Sequence, residues 1–366
     1  MKDFIPQIEP WIDEAELFYL KKVIDSSYVT EYSLTSEFEE EIKKLTGAKY
    51  AVAYTNGTAA LFACIVNLGI GAGDEVIVPN MTFVATSNAV LMAGAKPIFC
   101  EVDKNTLCID PDEILKLITP RTKAIMPVHL YGQSADMHEI MRIARDNNIY
   151  VIEDAAQGVG VGFDNRHVGT YGDLGILSFY GNKTITCGEG GIILTDDEEL
   201  RNKCYRFKNH GRDKKGVFIH EHIGYNFAFT EMQAAIGLSQ LKKLPKIIER
   251  KQQIYDRYKQ ELSFFHNVLK PIKLDPRTSP VHWFTSFLTE QKAGLQEYLK
   301  ENGVQTRDFF YPLNLQPCYK SFNYGEFPIS EKSYRQGISL PSSYALKNEQ
   351  QSYIIDLVNR YFSKER

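Results

Sequence analysis

The sequence predicts an α/β protein, with a large domain built on a mostly parallel sheet and a smaller C-terminal α/β domain. Three observations predict it. From about residue 48, short apolar runs alternate with amphipathic stretches, which implies right-handed crossovers and a sheet covered on both faces. Near residue 230 the texture changes to long helical periodicity. At 366 residues the chain is too long for one ordinary core, so two domains are expected, 1–245 and 246–366, the second including the linking helix.

In chain order, residues 51–54 form the first strand signal and 58–68 a helix. A β-rich run at 75–78 is followed by a helix over 83–93, and strands recur at 97–102 and 124–128. A helix is expected around 137–145, then buried strands at 150–153, 174–179 and 191–195. Residues 230–241 and 247–265 read as two helices broken at Pro245. Beyond 270 the order is strand (283–289), helix (291–302), an irregular Pro-rich segment and a final amphipathic helix (350–362). No low-complexity linker or internal repeat is visible.

Composition excludes several classes. The chain is 43% hydrophobic and 24% charged, and its 42 basic and 46 acidic residues leave a formal charge of −4. With no basic run or basic-aromatic patch, nucleic acid is not an expected partner. The start, Met-Lys-Asp-Phe-Ile-Pro, lacks the apolar core of a signal peptide, and no apolar stretch approaches the ~18 residues of a membrane span. Six scattered cysteines without C-x-x-C spacing suit reduced thiols in a cytoplasm. His220 and His222 flank Glu221 in a charged stretch, read as a loop; no metal site is expected.

Ligands of open α/β sheets sit beyond the carboxyl ends of strands, and four such places carry suitable residues. In N-G-T-A-A at 56–60, Gly57 lets the backbone approach an anion, the first helical amides point at it and Thr58 adds a hydroxyl. Alone, this segment is an ordinary helix cap. In I-E-D-A-A-Q at 152–157, Asp154 closes a buried strand, where a carboxylate is costly unless it meets a cation. A protonated pyridine nitrogen would serve, and so would a helix cap or an ion pair; this segment does not decide. Gly158, Gly160 and Gly162 are spaced G-x-G-x-G with no helix following, which predicts an extended turn rather than a dinucleotide loop.

The third place is S-F-Y-G-N-K-T-I-T-C-G-E-G-G at 178–191. Its single lysine, Lys183, has small, apolar or hydroxyl-bearing neighbours and no charge before Glu189. Desolvation would lower its pKa and make it nucleophilic towards an aldehyde, and Ser178 offers a hydroxyl to a phosphate. The fourth, G-Y-N-F-A-F-T-E at 224–231, is a loop entering a helix with Thr230 as N-cap; alone it reads as structural punctuation.

Together these segments resemble the sugar aminotransferases of the DegT/DnrJ/EryC1/StrS family over nearly the whole chain. That family's pattern is a small-residue loop, V-P-x-x-T-F, H-x-Y-G, E-D-x-A-Q/E, S-F-x-x-x-K-x-x-x-x-G-E-G-G and G-x-N. Here it stands at 56–59, 78–83, 129–132, 153–157, 178–191 and 224–226. The order and the long lysine motif make the combination specific. The resemblance implies an aspartate-aminotransferase-like fold (fold type I), with pyridoxal 5'-phosphate (PLP) as cofactor. It gives Lys183 the Schiff base, Asp154 the pyridinium nitrogen, Phe83 the stacking face and Gln157 a hydrogen bond near the ring. Gly57, Thr58, Ala59 and Ser178 would hold the phosphate. Asn226 would reach the other subunit's phosphate, making a homodimer with shared active sites.

G-N-K-T-I-T at 181–186, T-R-D-F-F-Y-P at 306–312 and I-S-L-P-S at 338–342 are similar to the branch that makes 4-amino-4,6-dideoxy sugars such as perosamine and viosamine. There Arg307 and Tyr311 would face the nucleotide-sugar, with surface packing the alternative for both. Ala228, Asp308, Asn314 and the run at 28–31 depart from the family pattern and bear on which sugar fits. The implied reaction moves the amino group of L-glutamate to C4 of a nucleotide-linked 4-keto-6-deoxyhexose. Relatives that dehydrate carry histidine at the lysine position, so Lys183 argues against that chemistry. C3-aminating relatives share the lysine and stay open, as does a cofactor-bearing regulator without turnover. A nicotinamide oxidoreductase built on residues 158–162 is the rival from another class.

Overall fold

The computed structural model describes residues 4–214, 216–322 and 325–364; Met1–Asp3, part of the start read above, lie outside them. Helices α1 (Glu14–Ser26) and α2 (Ser33–Thr46) precede β1 (Tyr50–Tyr54), α3 (Gly57–Asn67), β2 (Glu75–Pro79) and α4 (Ala85–Met92). Then come β3 (Lys96–Cys100), α5 (Pro111–Leu117), β4 (Thr122–Ile125), α6 (Met137–Asn147) and β5 (Tyr150–Asp154). A small hairpin, β6 (Gly162–Phe163) and β7 (Arg166–His167), leads into β8 (Leu174–Ser178), β9 (Gly191–Thr195) and α7 (Glu198–Lys208). The long α8 (Glu231–Glu261) follows. The C-terminal part contains β10 (Lys270–Pro271), β11 (Thr278–Ser279), β12 (Thr285–Leu288), α9 (Lys292–Glu301), β13 (Arg307–Asp308), α10 (Pro328–Gln336), β14 (Gly337–Leu340) and α11 (Asn348–Lys364).

Seven strands form the large sheet in the order β1-β9-β8-β5-β4-β2-β3. The five from β8 to β3 pair in parallel; β9 runs antiparallel to both neighbours. Alternate residues of each strand feed two cores. Ala51, Ala53, Ile77, Ile125, Val151 and Ile192 face one, while Val52, Tyr54, Val76, Ala124, Ile152 and Ile193 face the other. That period of two, buried on both sides, is why the strands read as uninterrupted apolar runs. A second sheet, β10-β12-β14-β13, packs with α9 and α11 around Ile254, Tyr258, Phe287, Leu299 and Ile354.

Local chemistry fixes the helix starts. Asp13 and Thr230 each make a reciprocal capping box, with Glu16 and Gln233, and Asp136 and Asp197 accept amides of the first turns of α6 and α7. The expected break at Pro245 is absent: α8 continues through it. Proline removes one amide donor, but Leu244 and Ile247 on either side are buried in the main core. Packing along the helix outweighs the single lost bond.

The C-terminal part also reaches back to the large sheet. Strand β11 pairs with β6, and the amide of Val281 donates to the carbonyl of Gly132 at 3.0 Å. A Cβ on Gly132, whose φ is +88°, would stand 1.7 Å from the Val281 oxygen, so only glycine admits this crossing. Among the described residues, no helix is long and apolar enough to cross a membrane.

Candidate active site

The lysine motif connects β8 to antiparallel β9, so its first and last residues, Ser178 and Gly191, are partners across the ladder. Amides of Phe179 and Cys187 bond the carbonyls of Gly190 and Phe179, both at 2.9 Å, and the Lys183 amide bonds the Tyr180 carbonyl at 2.9 Å. The return is therefore closed on itself, and Lys183 projects from a braced turn. The residue as a whole is half-buried, and its ammonium is desolvated by the surrounding protein. Burial pushes the amine down to about 8, with the Asp154 carboxylate opposing and the Arg307 guanidinium reinforcing that shift. The Lys183 Nζ lies 4.2 Å from the centroid of the Trp283 ring.

Asp154 ends β5 and is 4% exposed. Its Oδ2 accepts the Thr86 hydroxyl at 2.7 Å and its Oδ1 the Ala156 amide at 3.1 Å. Among the described residues, no basic side chain pairs with it at ion-pair distance. A buried carboxylate held by neutral donors alone is suited to a cationic ligand. Its neighbour Glu153 does a different job. Burial alone would raise its pKa, but His129 at 2.9 Å and the amides of Gly169, Tyr171 and Gly172 hold the carboxyl below its ordinary value. Glu153 thus pins the turn behind Asp154.

The anion cradle forms where α3 begins. Asn56 caps the Ala59 amide at 2.9 Å, and among the described residues the Gly57 and Thr58 amides have no acceptor. A Cβ on Gly57 would stand 3.3 Å from both Cβ and Oγ of Ser178, which places that hydroxyl against the helix start. Gly191 permits the approach, since a Cβ there would come within 2.6 Å of the Asn56 carbonyl. Unpaired amides, a hydroxyl and a helix N-terminus match a phosphate.

Gln157 accepts the Tyr131 amide at 2.7 Å, holding Tyr131 at a φ of +53°, and among the described residues its own amide nitrogen has no hydrogen-bond acceptor. The Tyr131 ring stacks on Phe310 at 5.6 Å, and Phe310 approaches Phe83 at 6.2 Å. Phe83 itself is 55% exposed at the mouth of α4. Arg307, on β13, sits over the Phe284 ring at 5.0 Å and faces the same cleft as Lys183. Tyr311 packs edge-on against Tyr334 at 5.0 Å, with no bond to the Lys183 group among the described residues. Asn226 is exposed and bridges Asn209; the next residue, Phe227, accepts the Thr55 amide at 2.9 Å, so the loop lies beside the cradle.

Three residues of this cleft carried no signal of their own in the sequence: Thr86, Tyr131 and Trp283. Tyr131 falls inside the H-x-Y-G pattern, and Thr86 follows Phe83 by three residues at the turn into α4. Trp283 was reachable only as the first residue of a predicted strand. The departures from the family pattern have local partners. Ala228 bridges Tyr54, Asp308 pairs with Lys292 at 2.6 Å, and Asn314 exchanges two 2.9 Å bonds with Asn80. Residues 158–162 form a turn running into β6 with no helix after it, so the dinucleotide loop is not formed.

A doubly covered sheet, a desolvated lysine near a carboxylate held by neutral donors, and a phosphate cradle at a helix N-terminus belong to the PLP enzymes of the aspartate-aminotransferase fold. The family is narrower. The model of the DegT/DnrJ/EryC1/StrS aminotransferase family matches residues 10–359, and the chain belongs to that family. It is 39% identical over 364 residues to a GDP-perosamine synthase of Escherichia coli O157:H7, covering 98% of this chain and 99% of that one. Among solved structures, DesV of S. venezuelae superposes with a TM-score of 0.93 at 31% identity, covering 98% of each chain. NtdA from Bacillus subtilis, solved with bound cofactor PMP, has a TM-score of 0.89 at 32% identity, covering 95% of this chain and 81% of that one.

Proposed function

We propose that this PLP-dependent enzyme transfers the amino group of L-glutamate to C4 of a GDP-linked 4-keto-6-deoxyhexose, giving a 4-amino-4,6-dideoxy sugar and 2-oxoglutarate. The observation that carries the reading is full-length similarity to a GDP-perosamine synthase in a chain whose cleft holds Lys183 desolvated near Asp154. The cofactor supplies an electron sink that stabilises charge developing at the carbon losing its proton. Lys183 would hold it covalently, and its freed amine would accept and return the proton that the reaction moves. An amine near 8 does this in either direction at neutral pH.

In the same reading Asp154 holds the ring nitrogen protonated, with Thr86 fixing the carboxylate plane. Gly57, Thr58, Ala59 and Ser178 hold the phosphate, Phe83 covers the ring and Gln157 donates to its edge. Arg307 and Tyr311 meet the nucleotide-sugar. Asn226, exposed beside its own cradle, reaches the phosphate of a second subunit, so the working unit is a homodimer. A cytoplasmic location suits the six free cysteines, and a division into 1–245 and 246–366 would put the seven-stranded sheet in the first part and the four-stranded sheet in the second.

Incubation with glutamate and a panel of GDP-, UDP- and dTDP-linked 4-keto and 3-keto sugars, read by mass spectrometry and NMR, tests this. Product is expected from the GDP-linked 4-keto sugar, with the new amine on C4. Amination at C3, or turnover only with another nucleotide, overturns the substrate assignment; full activity in Lys183→Ala overturns the assignment of the amine.

A further inference from the structure

Lys251 is a buried amine that this chemistry does not use. It lies midway along α8, 3% exposed, and its Nζ donates to the backbone carbonyls of Trp283 and Ser342, each at 3.1 Å. Burial is the one influence on its proton, pushing it down to about 7, because no acidic side chain among the described residues offsets it. A neutral amine keeps two N–H donors, which match the two carbonyls in either charge state.

These carbonyls lie just beyond the paired ends of two strands, where the Thr285 amide also donates to the Ser342 hydroxyl at 3.3 Å. Trp283 precedes β12 and Ser342 follows β14, and Lys251 reaches both carbonyls from α8. The Trp283 indole donates to the Asn182 carbonyl at 2.7 Å, presents one face to Lys183 and stacks against Phe284 at 3.9 Å. On the other flank, its amide would be 3.1 Å from a Cβ on Gly132, so the backbone here has no slack.

We propose that Lys251 is the positioning residue of the active-site amine: its clasp on the Trp283 and Ser342 carbonyls sets the indole against Lys183. Without those donors two carbonyls are left dry and unpaired, and the backbone at Trp283 turns to find other partners. The indole then leaves the Lys183 ammonium. This inference rests on the proposed role of Lys183.

The chain has two tryptophans, so Trp11→Phe makes Trp283 the sole emitter. In that background, the cofactor-loaded enzyme is compared with its Lys251→Met and Lys251→Arg variants. Lys251→Met is expected to raise acrylamide quenching of Trp283 about twofold and to lower kcat about tenfold, with the glutamate KM nearly unchanged. Lys251→Arg, which keeps two donors, is expected to return both towards the parent. Combining Lys251→Met with Trp283→Phe should cost no more kcat than Trp283→Phe alone. If Lys251→Met does not fold, Lys251→Leu, which also has no donor, carries the same comparison. Parent-like quenching in the folded variant, or effects that multiply in the double variant, overturns the proposal. A wrong assignment of Lys183 appears separately, as turnover in Lys183→Ala.

Discussion

The hydroxyl of Thr86 donates a 2.7 Å hydrogen bond to Oδ2 of Asp154, joining the first turn of α4 to the end of β5. The Ala156 amide takes the other oxygen, so the carboxylate plane is fixed from two elements. For a group proposed to pair with a ring nitrogen, orientation matters as much as charge. Thr86→Val is expected to lower kcat about tenfold, the worth of one hydrogen bond to a charged group, and Asp154→Asn about 10²- to 10³-fold. Steady-state kinetics with glutamate check both; unchanged rates in Asp154→Asn remove it from the mechanism.

At the start of α3, the Ser178 hydroxyl lies against Gly57, where two amides have no acceptor among the described residues. A hydrogen bond to a phosphate is worth about 1.5 kcal/mol or more, so Ser178→Ala should weaken PLP binding roughly tenfold. Gly57→Val, whose Cβ would crowd Ser178, should weaken it further. Fluorescence titration of cofactor-free protein measures both, and parent-like affinity in the pair would place the phosphate elsewhere.

Lys183 should react as a weakly basic amine. In cofactor-free protein, trinitrobenzenesulfonate labelling of Lys183 should rise with pH to half-maximum near 8, well below the ordinary lysine value of 10.5. Between those values the unfolded chain holds more protons than the folded one, so this group makes stability rise with pH across that window. Trp283→Ala should move the labelling midpoint upward by letting water reach the ammonium. Mass spectrometry of the labelled peptide reads the midpoint, and an ordinary value would contradict the burial described above.

Glu153 acts with the same sign in a lower window. Its carboxyl is held below the ordinary 4.5 by His129 and three amides against the cost of burial. It therefore contributes stability that is fully present above about pH 4.5 and is lost as pH falls through its lowered value. Glu153→Gln should cost about 3 kcal/mol near pH 7 in urea unfolding, and the gap should narrow below pH 4.5. A constant gap across pH would show that the loss comes from shape rather than charge.

Much of the large sheet was readable because both of its faces are buried. Strands such as β2 and β8, buried at every residue, are apolar apart from Glu75 and Ser178 at their ends, and the helices between them announce themselves by amphipathic periodicity. Pro245 misled for a local reason: proline's cost is a property of the residue, whereas the burial of Leu244 and Ile247 that outweighs it belongs to neighbours distant in sequence. The antiparallel direction of β9 was equally invisible, because an apolar run carries no direction.

The sequence by itself determined the fold class, the order of the strands along the chain and the lysine motif. Those follow from short-range chemistry: where apolar residues recur, where glycine frees the backbone, where a lone amine lacks charged neighbours. Only the tertiary structure decided that Thr86 meets Asp154, that Ser178 closes on Gly57 and that Trp283, from a segment distant in sequence, lies over Lys183. Such meetings depend on how two sheets pack about one long helix. No residue encodes that packing in its immediate neighbours, so the dry environment of the amine exists only once the chain has folded.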